Sequence, residues 1–216
     1  MGFLVVDVLA GLLFVLLWFW AFSRYNRRKA AKLVQLLRTA LGSHAYILGT
    51  KWSSSSRLLI RLRLSPALFQ QLVIRVELYP RELALNWLWS RLRRRKETLT
   101  FEADFDCPPA FNLEVHNHRW VARTGRKAPR HSRRVAIDQC EPFVLTTRGD
   151  WQREITAMMN ALVASRDSDF LSVCFRRNSP HFSATVPLDS LGSESNHSQI
   201  FDVLRELANC ASAASF

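Results

Sequence analysis

Acidic side chains are nearly missing from the first half of this 216-residue sequence. Residues 24–97 hold 3 of them against 17 Lys and Arg, and residues 1–23 hold only Asp7. Glycine is sparse as well, with 7 in the whole chain, and none stands in a G-x-G-x-x-G, P-loop or G-x-S-x-G setting. A dinucleotide fingerprint, a Walker-type phosphate cradle and a nucleophile elbow therefore have no backbone to form from. No H-E-x-x-H occurs either, which removes the zincin type of metal helix. The four cysteines, Cys107, Cys140, Cys174 and Cys210, lie more than 30 residues apart with no C-x-x-C pair. A small secreted scaffold would space them more densely, and this pattern suits reduced thiols in a cytosol.

What the front of the chain does have is a long apolar run. Phe3 to Phe22 is 20 residues with one charge, and at about 1.5 Å per residue it matches a hydrocarbon core of about 30 Å. Asp7 lies near one end, within reach of an interface. Trp18, Trp20 and Tyr25 gather at the other end as an aromatic belt does, with Arg24 placed to snorkel. A cleaved signal fits poorly. No basic residue precedes the run, the run is long for an h-region, and no small-x-small site follows Phe22. Core helices, for their part, rarely stay apolar on every face for this length. The run reads as a single transmembrane anchor over residues 1–23.

The basic residues follow at once. Arg24, Arg27, Arg28, Lys29, Lys32 and Arg38 lie within about 15–20 residues of the membrane exit, the range over which positive charge sets orientation. The expectation is an N-terminus outside and a C-terminal domain in the cytoplasm. Ala30, Leu33, Val34, Leu37 and Leu41 then recur at helical spacing before Gly42. This basic juxtamembrane helix, residues 24–44, either continues the anchor or folds back near the membrane.

Residues 45–209 read as a cytosolic α+β domain, and 210–216 as a frayed tail. AYILGTKW and RLLIRLRL flank four serines and form a hairpin, with Leu58, Ile60, Leu62 and Leu64 on one side and Arg57, Arg61 and Arg63 on the other. Residues 72–78 alternate in the same way. The segment from Tyr79 to Glu97 is read as a helix with Pro80 in its first turn and Leu85, Leu88, Trp89 and Leu92 on one stripe. A strand with Leu83, Leu85, Trp87 and Trp89 on one face is the alternative. Residues 97–105 and 110–118 are expected to pair as a hairpin around Cys107-Pro108-Pro109. Residues 124–134 form an exposed basic loop, and short strands follow at 135–137 and 142–148. A helix spans 150–165, a hairpin turns through Asn178-Ser179-Pro180-His181, and Ser198 caps a final helix. The fold class is thus α+β, with one N-terminal transmembrane helix and antiparallel hairpins packed with amphipathic helices. The helix-ββ order at 27–64 and at 150–188 raises a degenerate duplication as a further reading.

Catalytic and metal chemistry have little to stand on. His116 and His118 share a strand face and are the best metal candidates, with Cys107 or His131 as further ligands. Solvent-facing histidines opposite Phe111, Leu113 and Val115 explain them as well. Glu102, Asp104 and Asp106 read as carboxylates that solvate an exposed face. No cofactor and no catalytic residue is expected.

The stronger signal is charge interleaved with aromatic rings. At the membrane exit it comprises Trp18, Trp20, Arg24, Tyr25, Arg27, Arg28 and Lys29; further on, Trp87, Trp89, Arg91, Arg93, Arg94, Arg95 and Lys96; and in the basic loop, Arg126, Lys127, Arg130, Arg133 and Arg134. Beside an anionic leaflet each such charge contributes about 1 kcal/mol, and indoles favour the headgroup level. The reading is a non-enzymatic, single-pass membrane protein whose basic domain docks on anionic headgroups of the inner leaflet and binds a protein partner as an accessory or scaffold. A membrane-tethered nucleic-acid or ribosome-binding domain is the first alternative. A lipid-binding or enzymatic domain with an unrecognised site is the second.

Overall fold

The computed structural model describes residues 2–41, 45–64, 71–93, 95–105, 108–109, 112–117, 133–135, 143–147 and 171–192. The expected helices at 150–165 and after Ser198, and with them the duplication, lie outside the described residues.

The chain opens with one unbroken helix, α1, from Gly2 to Leu41, so the apolar run and the basic segment are one rod of 40 residues. With neither Pro nor paired Gly inside it, the sequence offers no cause for a kink where the charge begins. Every described side chain from Val5 to Leu17 is exposed, on all faces. α1 is long and apolar enough to cross a membrane. Beyond the apolar run its surroundings change, and Asn26, Ala30, Leu33 and Leu37 are buried along one stripe.

Strands β1 (Ala45–Ser54), β2 (Arg57–Leu64) and β3 (Gln71–Glu77) follow. Then come helix α2 (Ala84–Leu92), β4 (Thr98–Asp104), β5 (Leu113–Asn117), β6 (Arg133–Val135), β7 (Phe143–Thr147), β8 (Ser172–Phe175) and β9 (Phe182–Pro187). A 3-10 turn at Leu188–Gly192 closes the described chain. The strands form one sheet in the order β1-β2-β3-β4-β9-β8-β5-β7-β6, and all its pairings are antiparallel. The architecture is the α+β one expected.

Period-two alternation builds the core. Ile60, Ile74, Phe101, Ala184, Val173 and Val115 stand opposite one another from strand to strand, making an apolar row across six strands. All six are at most 1% exposed. Ala30, Leu33 and Leu37 of α1 belong to the same core, with Val34 and Ile47 packed against it. The opposite face over β2, β3 and β4 is polar: Arg75 pairs with Glu102 at 3.1 Å, Arg57 with Glu77 at 3.4 Å, and the Thr100 and Thr185 hydroxyls meet at 3.2 Å.

The four-serine segment turns β1 into β2 as expected, with Ser55 and Ser56 as its two linking residues. β8 and β9 pair through the expected turn at 178–181. The expected pairing of residues 97–105 with 110–118 is overturned. β4 pairs with β3 and β9, β5 pairs with β8 and β7, and the β8–β9 hairpin stands between them. A later hairpin with apolar residues of the right register displaced the local pairing. Asp104 helps to seat it, accepting from the Ser179 hydroxyl at 3.0 Å and from the His181 backbone N–H at 3.2 Å. Helix α2 is real but shorter than expected: it starts at Ala84, so Pro80 precedes it rather than lying in its first turn, and Arg93 forms its C-cap.

The strand ends sort into two poles. At one pole lie the β1–β2 turn, the excursion from Leu78 to Glu97 that carries α2, and Leu188. Leu78 N donates to Ser56 O and Leu188 N to Glu97 O, both at 2.8 Å. This is also the pole where α1 leaves the sheet.

Candidate membrane interface

Helix α1 and the excursion between β3 and β4 are fastened together by polar groups. Asn26, with no solvent exposure, donates from Nδ2 to the Tyr79 carbonyl at 3.1 Å and to Glu82 Oε2 at 3.2 Å. Its Oδ1 accepts from Arg81 Nη1 at 3.2 Å. Glu82 is held from the other side by the Ser55 hydroxyl at 2.5 Å. Glu97, 3% exposed, bonds Lys29 through one oxygen; the other accepts from Arg81 at 3.0 Å and from the Tyr79 backbone N–H at 3.2 Å. A buried carboxylate is tolerable only when paired and hydrogen-bonded, and this one is both. Lys29 and Arg81 against Glu82 and Glu97 leave the clamp electroneutral.

Arg81 is its hub. Its guanidinium also lies over the rings of Tyr25 and Tyr79, at 4.9 and 5.3 Å, and its carbonyl accepts a 3.0 Å hydrogen bond from Trp18 Nε1. Trp18 packs in a ladder with Phe14 and Phe22 on α1. The excursion thus runs beside α1 from Asn26 back to Trp18, eight residues or about 12 Å of helix rise. That brings the lead-in to α2 level with the last turn of the apolar run. The far end of α2 is tied down too, because the Tyr79 hydroxyl donates to the Arg95 carbonyl. Burial raises the Tyr79 pKa, and the negative charges of Glu97 and Asp189 push it further in the same direction.

α2 faces the wrong way for a helix of a soluble domain. Its buried residue is Ser90, while Leu85 is 82% exposed, Leu92 69%, Trp89 56% and Leu88 49%. At about 100° per residue, Ser90 lies roughly opposite the stripe of leucines. The stripe therefore points away from the sheet, and the preceding Leu83 is exposed with it. Arg91 and Arg93 flank the stripe, their guanidiniums over Trp87 at 5.7 Å and Trp89 at 4.5 Å. On α1 the Arg24 guanidinium lies over Trp20 at 5.4 Å. Among the described residues Arg24, Arg27, Arg28, Arg91, Arg93, Arg95 and Lys96 form no ion pair.

The expected interface residues therefore divide. Trp20, Arg24, Arg27 and Arg28 are exposed beside the clamp, whereas Trp18, Tyr25 and Lys29 touch its members. Trp87 is half-buried and Trp89 exposed on α2. Arg94, Arg126, Lys127, Arg130 and His118 lie outside the described residues. The backbone of Arg133 and Arg134 belongs to strand β6, at the sheet edge opposite β1, rather than to a loop. His116 lies in β5, and among the described residues no three His, Cys, Asp or Glu side chains gather as metal ligands. Sequence reasoning passed over Asn26, Tyr79, Arg81, Glu82 and Glu97. A signal was there: Asn26 is a polar residue four before Ala30 on an apolar stripe, and Glu82 and Glu97 are two of the three acids in a strongly basic stretch.

No family model matches the sequence, and no curated protein matches it. Among solved structures the chain is similar to the one described as the crystal structure of the mycobacterial trehalose monomycolate transport factor A, TtfA. The TM-score is 0.46 at 7% identity, over 82% of this chain and 92% of that chain.

Proposed function

We propose that this chain is a single-pass membrane protein whose α+β domain is seated on the anionic inner leaflet and serves a protein partner as a non-enzymatic accessory. The observation that carries the reading is α2, clamped beside the end of the apolar run with its leucine stripe turned away from the protein. Burying a leucine contributes roughly 1.5–3 kcal/mol. A leaflet supplies that burial where no described residue of the protein does. The arginines beside the stripe, without an ion pair among the described residues, match the headgroup level, and the tryptophans match the boundary between headgroup and acyl chain. The basic flank of α1 favours a cytoplasmic domain. For the protein partner, β1 offers an open edge among the described residues, with Tyr46 63% and Leu48 66% exposed along it.

Nucleic acid accounts for less. On the polar face of the sheet Arg57 and Arg75 have acidic partners, while Arg61 and Arg63 form no ion pair among the described residues. Nucleic acid would answer that charge, but it offers no apolar cover for the exposed leucine stripe of α2. Orientation is tested by labelling the native cysteines with a membrane-impermeant maleimide in intact cells, after permeabilisation, and after denaturation. Protection in intact cells with labelling after permeabilisation and denaturation supports the cytoplasmic domain. Labelling of intact cells reverses it.

A further inference from the structure

Five guanidinium–ring contacts occur among the described residues, and they are of two kinds. Arg81, over Tyr25 and Tyr79, spends its N–H groups on Asn26 and Glu97. The other three share one sequence spacing, Trp-x-x-x-Arg: Trp20 with Arg24, Trp87 with Arg91 and Trp89 with Arg93. Four residues apart on a helix, ring and cation are surface neighbours. In none of the three does the arginine meet a carboxylate among the described residues. A guanidinium set over a ring face is held by that face, while its N–H donors lie in its own plane and point outward. Such a fork fits the two non-bridging oxygens of a phosphodiester, which a lysine ammonium meets only as a point charge.

Resting on the leaflet-seated reading above, we propose that these three pairs are binding positions for the phosphodiester of anionic glycerophospholipids. Each indole lies at the headgroup boundary and each guanidinium clasps one phosphate. Two arguments select lipid as the occupant: the positions adjoin the uncovered stripe of α2 and the apolar run of α1, and their charge complements an anionic headgroup. A leaflet docked by charge alone would accept lysine equally well.

The test uses the full chain in nanodiscs of phosphatidylcholine with a minor share of phosphatidylglycerol. A phosphatidylglycerol with a diazirine in its acyl chain reports whether residues 84–92 reach the hydrocarbon, by mass spectrometry of crosslinked peptides. Native mass spectrometry reports the lipid retained by wild type and by the Arg24→Lys/Arg91→Lys/Arg93→Lys variant, which keeps net charge. Thermal unfolding checks that the variant is folded. The expected result is crosslinking of 84–92 in both proteins, with retention of phosphatidylglycerol falling about tenfold in the lysine variant at unchanged net charge. Equal retention of phosphatidylglycerol by the two proteins overturns the phosphate forks and leaves the seated helix standing. Absence of crosslinks at 84–92 in wild type overturns both readings.

Discussion

Trp18 and Arg81, 63 positions apart in the chain, are joined by a 3.0 Å hydrogen bond from the indole N–H to the backbone carbonyl. This bond sets the depth of α2 relative to the apolar run. It lies one helical turn before Phe22, so the lead-in to α2 cannot sink toward the sheet without breaking it. The Asn26 and Glu97 clusters fasten the same segment to α1 twice more.

Replacing Asn26 with Leu keeps the size of the side chain and removes all three of its hydrogen bonds. The Tyr79 carbonyl, Glu82 and the Arg81 Nη1 are then left short of a partner in a buried place. The expected loss is about 1–3 kcal/mol of unfolding free energy, read by thermal unfolding in detergent micelles. Faster amide exchange across residues 79–83 should accompany it. No change in either would show that the clamp does not hold the excursion.

Glu97 is the second hinge pin. Its loss in Glu97→Ala leaves Lys29 and Arg81 without their shared carboxylate, at an expected cost of about 3–5 kcal/mol. Glu97→Gln should recover part of this, because its amide oxygen still accepts from the Tyr79 N–H. The ordering Ala below Gln below wild type in melting temperature is the outcome to look for.

The Tyr79 phenol provides a pH test. Its pKa is raised in the folded state, by burial first and then by Glu97 and Asp189, so the folded protein holds this proton more tightly than the unfolded chain. The contribution to stability is fully present below the unfolded value of about 10 and is lost as pH rises through the folded value. Absorbance titration of the phenolate should show one tyrosine ionising above the ordinary range, and Tyr79→Phe should remove it. The same variant forfeits the hydroxyl bond to the Arg95 carbonyl, worth about 0.5–1.5 kcal/mol.

Leu85 and Leu88 separate fold from membrane seating. Both are exposed from the protein's side, so Leu85→Asp/Leu88→Asp should leave thermal stability in detergent within about 0.5 kcal/mol. In nanodiscs the two carboxylates oppose insertion, and acyl-chain crosslinking of residues 84–92 should disappear. A large loss of stability in detergent would instead mean that protein covers the stripe.

The sequence by itself determined whatever depends on neighbours along the chain. The apolar run of α1, the basic flank, the alternation of Leu58, Ile60 and Leu62, the serine turn and the 178–181 turn were all legible, because strand and helix periodicities are local. So was the existence of a leucine stripe on α2. Tertiary structure alone decided three matters. It separated β4 from β5, since a hairpin formed some 70 residues later offered apolar partners in register and a turn that Asp104 could hold. It gathered Asn26, Arg81 and Glu97, because a buried charge is defined by distant partners and not by its own neighbours. And it turned the α2 stripe outward: a stripe states that a helix has an apolar face, while the covering medium is set by where the ends of that helix are tied.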